Sequence, residues 1–340
     1  MMMSSRTRSD VVRPQFNSCP VASFVNHPTA RLPTGAIPSD ANHVLILQNP
    51  TAGRPKRQQR VQELQQELHQ LGLETTCFSD IHTLTAKAEQ AHSNGTLRAV
   101  VAAGGDGTVG LVVNHLPAGS PIAVLPLGTE NLLARSFGIQ LENAAQVIHQ
   151  GAFVRLDAGE ANGRLFLLMF SCGLDADIVE RLHKRRQGHI SHWSYLRPIL
   201  ASIRSYRYPE VRVYFEHGGG SESKTREVAA RWVFVNNLPI YALKIPIVPQ
   251  AIGTDGVLDL CTLRRGSLPA ALWYLAGILL RRHQRWKDCT TAKVTKVRLE
   301  SDHPVAFQLD GDPGGQLPVH IQMHPQRVTL LIPAVSAATT

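Results

Sequence analysis

The pattern of apolar and polar positions changes character near residue 160. Before it, short apolar runs alternate with stretches in which apolar residues recur every three or four positions. His43 to Gln48 (HVLILQ), Leu97 to Ala102 and Pro121 to Leu125 are runs of strand length, as expected of strands buried on both faces of a parallel sheet. Between them Val61, Leu64, Leu68 and Leu71 mark one face of a helix that Gly72 stops. Glu74 to Phe78 predicts another strand, and Thr85 to His92 and Val109 to Leu116 predict two more helices. This alternation predicts a doubly wound α/β domain over residues 41–160, with ligand loops at the carboxyl ends of its strands.

After Asp157 the runs become short and β-like: Leu165 to Ser171, Val211 to Phe215, Arg231 to Asn236, Leu258 to Leu263, Val294 to Leu299, Ala306 to Leu309 and Val328 to Ile332. They predict a mostly antiparallel β-sandwich domain over residues 161–330, its end free to return to the first domain, with helices near 193–205 and 268–286. Residues 1–40 carry Pro, Ser, Arg and Gly without periodicity and read as a disordered lead-in, and 331–340 as a flexible tail. The longest apolar stretch, Leu268 to Leu280, falls short of the roughly 18 residues that a spanning helix needs.

The charge of +9 favours an anionic partner without choosing among nucleotide, nucleic acid and acidic lipid. No recognition helix or aromatic RNA platform is recognisable, so nucleic acid, supported by charge alone, ranks last and is not expected as a partner. Five scattered cysteines without a CxxC pair indicate neither a disulfide framework nor a zinc site and suit a reducing, cytoplasmic setting. His183, His189 and His192 lack the carboxylate or cysteine that would complete a metal set.

Three loops carry the chemistry. In Ala102 to Thr108 (AAGGDGT), Gly104, Gly105 and Gly107 let the backbone approach a ligand closely, and the helix that follows aims amide N–H groups at it, a construction suited to phosphate. Asp106 within it requires a cation, a hydroxyl or a neighbouring donor beside the phosphate. Asn49 to Gly53 (NPTAG) and Leu125 to Thr129 (LPLGT) follow buried strands in the same way, so all three loops open at one edge of one sheet.

NPTAG, GGDGT and PLGTENLLAR in this order resemble the motif series of the diacylglycerol kinase catalytic domain family, which includes bacterial lipid kinases and the sphingosine and ceramide kinases. The similarity continues through FSCGLDADIV (Phe170 to Val179), GTDGVLDL (Gly253 to Leu260) and QLDGD (Gln308 to Asp312). The resemblance implies transfer of the γ-phosphoryl group of ATP to a lipid hydroxyl, with magnesium, in a cleft between the two domains. It places Asn49, Gly53, Gly104, Gly105, Asp106, Gly107, Thr108, Gly128 and Thr129 around the nucleotide. Asp255 with the backbone oxygens of Ile252 and Val257 takes the family's magnesium position, Asp312 the proton acceptor's, and Asp177 a contact to the acceptor's head; Asp106 completes the acidic network. By local pattern alone Asp255-Gly256 and Asp310-Gly311 read as hairpin turns.

Four positions depart from the family: Gly110-Leu111 stand for Asn-Glu, Leu132 for Asp and Asp312 for Glu. Glu130 is the nearby carboxylate that would compensate. Two basic stretches with aromatic and apolar residues, Arg181 to Arg207 and Leu268 to Lys287, suit peripheral contact with an anionic membrane. A homodimer is compatible with the chain. The rival enzyme is an NAD kinase, whose later glycine-rich stretch is missing here; the rival from another class is a nucleotide- or lipid-binding protein with weakened catalysis.

Overall fold

The computed structural model describes residues 34–48, 55–184, 205–217, 224–240 and 246–334. Its first half runs β1 (Thr34–Ala36), β2 (His43–Gln48), α1 (Pro55–Gln70), β3 (Glu74–Phe78), α2 (Ile81–Ser93), β4 (Leu97–Gly104), α3 (Asp106–His115), β5 (Pro121–Pro126), α4 (Leu132–Ser136), α5 (Ala144–Gln150) and β6 (Ala152–Ala161). Next come β7 (Arg164–Phe166), β8 (Met169–Cys172), α6 (Leu174–Lys184), β9 (Val211–His217), β10 (Lys224–Ala230), β11 (Trp232–Asn236), β12 (Leu258–Leu263) and α7 (Leu268–Leu279). The last strands are β13 (Cys289–Val294), β14 (Lys296–Glu300), β15 (Ala306–Leu309), β16 (Asp312–Gln316) and β17 (Val319–Leu331).

The parallel block is ordered β3-β2-β4-β5. Alternate residues of its apolar runs serve opposite faces. Val44, Ile46, Ala99 and Val101 meet Val61, Leu64 and Leu68 of α1 together with α5, while Leu45, Leu47, Val100 and Ala102 pack toward α2 and α3. The two-sided burial explains why these strands read as unbroken apolar runs.

β17 joins this block to the rest of the molecule. Its C-terminal part runs parallel to β5, with Thr329 opposite Pro121, and its N-terminal part pairs antiparallel with β14, Ile321 opposite Val297. β6 accompanies it from Phe153–Leu331 to Ala161–Ile321, with a register shift between His324 and Val328. One eleven-stranded sheet therefore runs through both halves, and the six-stranded sheet β13-β12-β11-β8-β15-β16 covers its far part. Between the two sheets lies a second core that includes Phe170, Val235, Leu260 and Phe307 against Val213, Phe215, Leu299 and Ile321.

Two sequence expectations change here. The lead-in is not irregular to residue 40, because Thr34–Ala36 form β1 and pair with the free edge of β6. Nor does a tail begin at 331: Leu331 and Ile332 are buried, and Ile332 N donates to Ala152 O at 2.9 Å. Nearly all of the helix expected near 193–205 lies outside the described residues.

Arg98 ties the N-terminal segment to the block. It is 4% exposed, and its guanidinium donates to Ile148 O (2.8 Å), Pro38 O (2.9 Å), Ile37 O (3.3 Å) and His149 O. Two of these carbonyls close the last turn of α5, where a cation also complements the helix dipole. Gly151 belongs there because a Cβ would stand 2.6 Å from Arg98 Nη2, at a φ of +67°. Arg98→Met should destabilise the fold by about 3 kcal/mol, since several buried carbonyls lose a charged donor together, as measured by urea unfolding.

Candidate active site

The glycine loops meet backbone to backbone. β4 ends at Gly104, Gly105 caps α3, and Leu127 N donates to Gly104 O at 2.9 Å. A Cβ on Gly128 would stand 2.5 Å from Gly105 Cα and 2.6 Å from Asn131 Oδ1, so a side chain at this position would force the two loops apart. Asn131 adopts a left-handed φ of 49° and holds the second loop: its Oδ1 accepts from Gly128 N (2.9 Å), and its Nδ2 donates to Gly128 O (3.0 Å) and Pro126 O (3.2 Å).

Asp106 sits at the start of α3, and its carboxylate accepts from Leu132 N (2.9 Å) and Leu133 N (3.1 Å), capping α4. Both of its oxygens thus fasten one loop to the other. Leu132 gives its amide to Asp106 while its side chain is buried in the core. Thr108 lies against Gly104, Gly107 and Thr129 are exposed, and Glu130 stands 4.0 Å from Arg135.

From the opposite lobe the β15–β16 hairpin reaches the same place. Its turn residues Asp310 and Gly311 have φ of 51° and 88°, the left-handed pair that Asp-Gly supplies in a tight hairpin. The Asp310 carboxylate accepts from the amides of Leu167 (2.7 Å), Leu168 (2.8 Å) and Met169 (2.9 Å). Burial pushes its pKa up to about 6 against the pull of these donors, and the negative charge of Asp106 adds to the rise.

Asp312 opens β16. Its Oδ2 lies 3.4 Å from where a Cβ on Gly107 would stand, and 3.6 Å from Arg164 Nη2. Arg164 also donates to Pro313 O at 2.9 Å. Asp106, the glycine loops and Asp312 are therefore brought together. The sequence carries no signal for Arg164; Asn131 stands in the GTEN motif without an assigned role, and the Asp310-Gly311 pair signals the turn rather than the clamp.

Asp177 lies on α6, which packs against β15 and β16, and pairs with Arg181 at 2.8 Å. Ile252, Asp255 and Val257 do share one loop: Asp255 N donates to Ile252 O and its Oδ1 accepts from Val257 N, each at 3.4 Å. The loop is pinned to β6, however, with Gly256 N donating to Asp157 Oδ2 at 2.7 Å, and Lys293 Nζ occupies Asp255 Oδ2 at 2.5 Å. An ammonium in that place repels a divalent ion, so the residues present do not fit the expected magnesium position. Asn49 and Gly53 lie outside the described residues.

The comparisons with known proteins match this arrangement in both lobes. A family model for the diacylglycerol kinase catalytic domain matches residues 43–161, and one for the YegS C-terminal NAD kinase beta sandwich-like domain matches residues 169–332. The chain belongs to the diacylglycerol kinase family. A diacylglycerol kinase of Bacillus subtilis is 26% identical over 282 residues, 80% of this chain and 90% of that one. One from Staphylococcus carnosus is 23% identical over 303 residues, 85% and 94% of the two chains. The crystal structure of a diacylglycerol kinase from Bacillus anthracis superposes with a TM-score of 0.62 at 19% identity, covering 86% of this chain and 97% of that one. At family level these findings support a lipid kinase.

Asp310 makes stability depend on pH. Its pKa is raised from 3.8 to about 6, so between these values the folded state holds a proton that the unfolded chain has released. Stability therefore falls as pH rises through this window, by about 3 kcal/mol for a shift of this size. Asp259, raised to about 6 by burial as well, adds to the same limb. Asp310→Asn should flatten part of the slope of unfolding free energy between about pH 4 and 6; an unchanged slope would count against a buried acid at the turn.

Proposed function

We propose that this chain transfers the γ-phosphoryl group of ATP to the hydroxyl of a membrane lipid, diacylglycerol-like or sphingoid, in the cleft between Gly104–Thr108 and Asp312. The observation that carries this reading is the approach of the Asp312 carboxylate to Gly107, from the opposite lobe, beside loops that leave the backbone bare. Gly104, Gly105, Gly107 and Gly128 allow phosphate oxygens close to main-chain N–H groups, and the N-terminal end of α3 favours their charge. Asn49, Gly53, Thr108 and Thr129 complete the nucleotide contacts in this reading. A magnesium ion carried with the nucleotide supplies charge neutralisation at the phosphoryl group.

Asp312 accepts the proton of the lipid hydroxyl as the hydroxyl oxygen bonds to the γ-phosphorus and the bond from that phosphorus to the β,γ-bridging oxygen breaks, releasing ADP, and Arg164 holds the carboxylate in place. Asp106 acts as a positioning residue, because its oxygens are engaged by Leu132 and Leu133. Asp177, on the helix against the β15–β16 hairpin, orients the head of the acceptor.

The lipid must come from a bilayer, and α7 offers the contact. Among the described residues no helix is long and apolar enough to cross a membrane. Leu268, Leu272, Leu275 and Leu279 nevertheless form one exposed stripe, with Trp273 and Leu280 beside it. Exposed Arg281, Arg282, Arg285 and Lys287 follow directly. Such a face suits an anionic surface, apolar residues entering the headgroup layer and each cation adding about 1 kcal/mol. The other basic stretch, Arg181 to Arg207, lies mostly outside the described residues.

Label transfer from γ-labelled ATP to lipids in mixed micelles, with sugar and NAD as controls, tests the reaction. Asp312→Asn should lower the rate by about 10²- to 10⁴-fold while ATP binding changes little. An unchanged rate would remove Asp312 as proton acceptor, and ATP binding without any labelled acceptor would favour a binding protein. Leu272→Glu with Leu279→Glu should abolish co-sedimentation with anionic vesicles at low salt while sparing transfer in detergent. Undiminished co-sedimentation would move the membrane contact elsewhere.

A further inference from the structure

Lys293 on β13 and Asp259 on β12 stand directly opposite one another, so both side chains leave the same face of the six-stranded sheet. Asp259 is only 4% exposed, and its Oδ2 has no hydrogen-bond partner among the described residues. A carboxylate oxygen in that condition calls for a cation. Over the pair folds the loop of residues 252–257, which places Asp255 Oδ2 2.5 Å from Lys293 Nζ.

The loop cannot drift from this position. Asp157 N donates to Gly253 O (2.8 Å), and the Asp157 carboxylate accepts from Gly256 N (2.7 Å) and from Gln326 N in the irregular part of β17 (2.7 Å). Asp255 repels both Asp157 and Asp259 electrostatically, and Lys293 attracts both Asp255 and Asp259. Among the described residues no group of three or more His, Cys, Asp or Glu side chains is arranged to hold a metal ion.

We propose that Lys293 is a tethered cation, its ammonium bound to Asp255 and attracted to Asp259 across the ladder, in the place where a divalent ion would otherwise hold the 252–257 loop to the sheet. An ammonium offers three donors, and one of them goes to Asp255. Being part of the chain, it keeps a fixed effective concentration at the site, so the loop stays seated whatever the level of free magnesium or calcium.

Thermal unfolding of the full chain, without nucleotide or lipid, in EDTA and then with excess calcium or magnesium chloride, tests it. The native chain and Lys293→Arg should unfold at the same temperature in both conditions. Lys293→Met should unfold several degrees lower in EDTA and recover with calcium, and adding Asp255→Asn should abolish that recovery. If Lys293→Met does not fold in EDTA, refolding with calcium alone supports the proposal, and failure with calcium as well overturns it. The proposal is also overturned if divalent ions raise the native midpoint in an Asp255-dependent way, or if Lys293→Met behaves as the native chain in EDTA.

Discussion

The antiparallel pairing of β6 with β17 is the interaction on which the rest of the molecule depends. β17 pairs with β5 at one end and with β14 at the other, so the same strand completes the parallel block and the far part of the sheet. β6 leads through a turn into β7, which carries Arg164, and holds Asp157 against the irregular part of β17. With both strands shared, the lobes cannot shift independently of the ladder between them. Asp312 belongs to the other sheet, where the Asp310 carboxylate ties its hairpin to the amides of Leu167, Leu168 and Met169, just beyond β7.

Buried carboxylates do a second kind of fastening. Asp106, Asp157 and Asp310 each accept two or three main-chain amides, and each joins segments far apart in sequence. Such charge-assisted bonds are stronger than neutral ones and leave the acid with little capacity for chemistry. Asp312 differs: it stands beside the exposed Gly107 with a single arginine contact, which leaves it available to a substrate. Acids with similar motif positions are thereby separated into clamps and a reactive group by what they hydrogen-bond.

Much of this was legible in the sequence because it is local. Apolar runs marked β2, β4 and β5, glycine spacing marked the loops, and the ordered motifs marked their common edge. The ribbon was not legible, since the partner of β6 lies more than 150 residues later and neither strand alternates cleanly: both pass between cores that bury different faces. β1 is too short and too rich in small residues to show a period. Nothing nearby in sequence reveals the four carbonyls that gather around Arg98 or the carboxylate that meets Lys293.

The position of β17 also bears on the order in which the chain acquires its structure during synthesis. The strand inserts between β5 and β14, both made earlier, so neither lobe can close its sheet until residues near Leu331 have emerged from the ribosome. Until then β5 presents an unpaired edge beside a largely formed apolar block, a state open to pairing with other chains. Assembly therefore ends with one long-range event that completes both lobes together, and the cleft does not exist in any nascent chain that lacks its last strand.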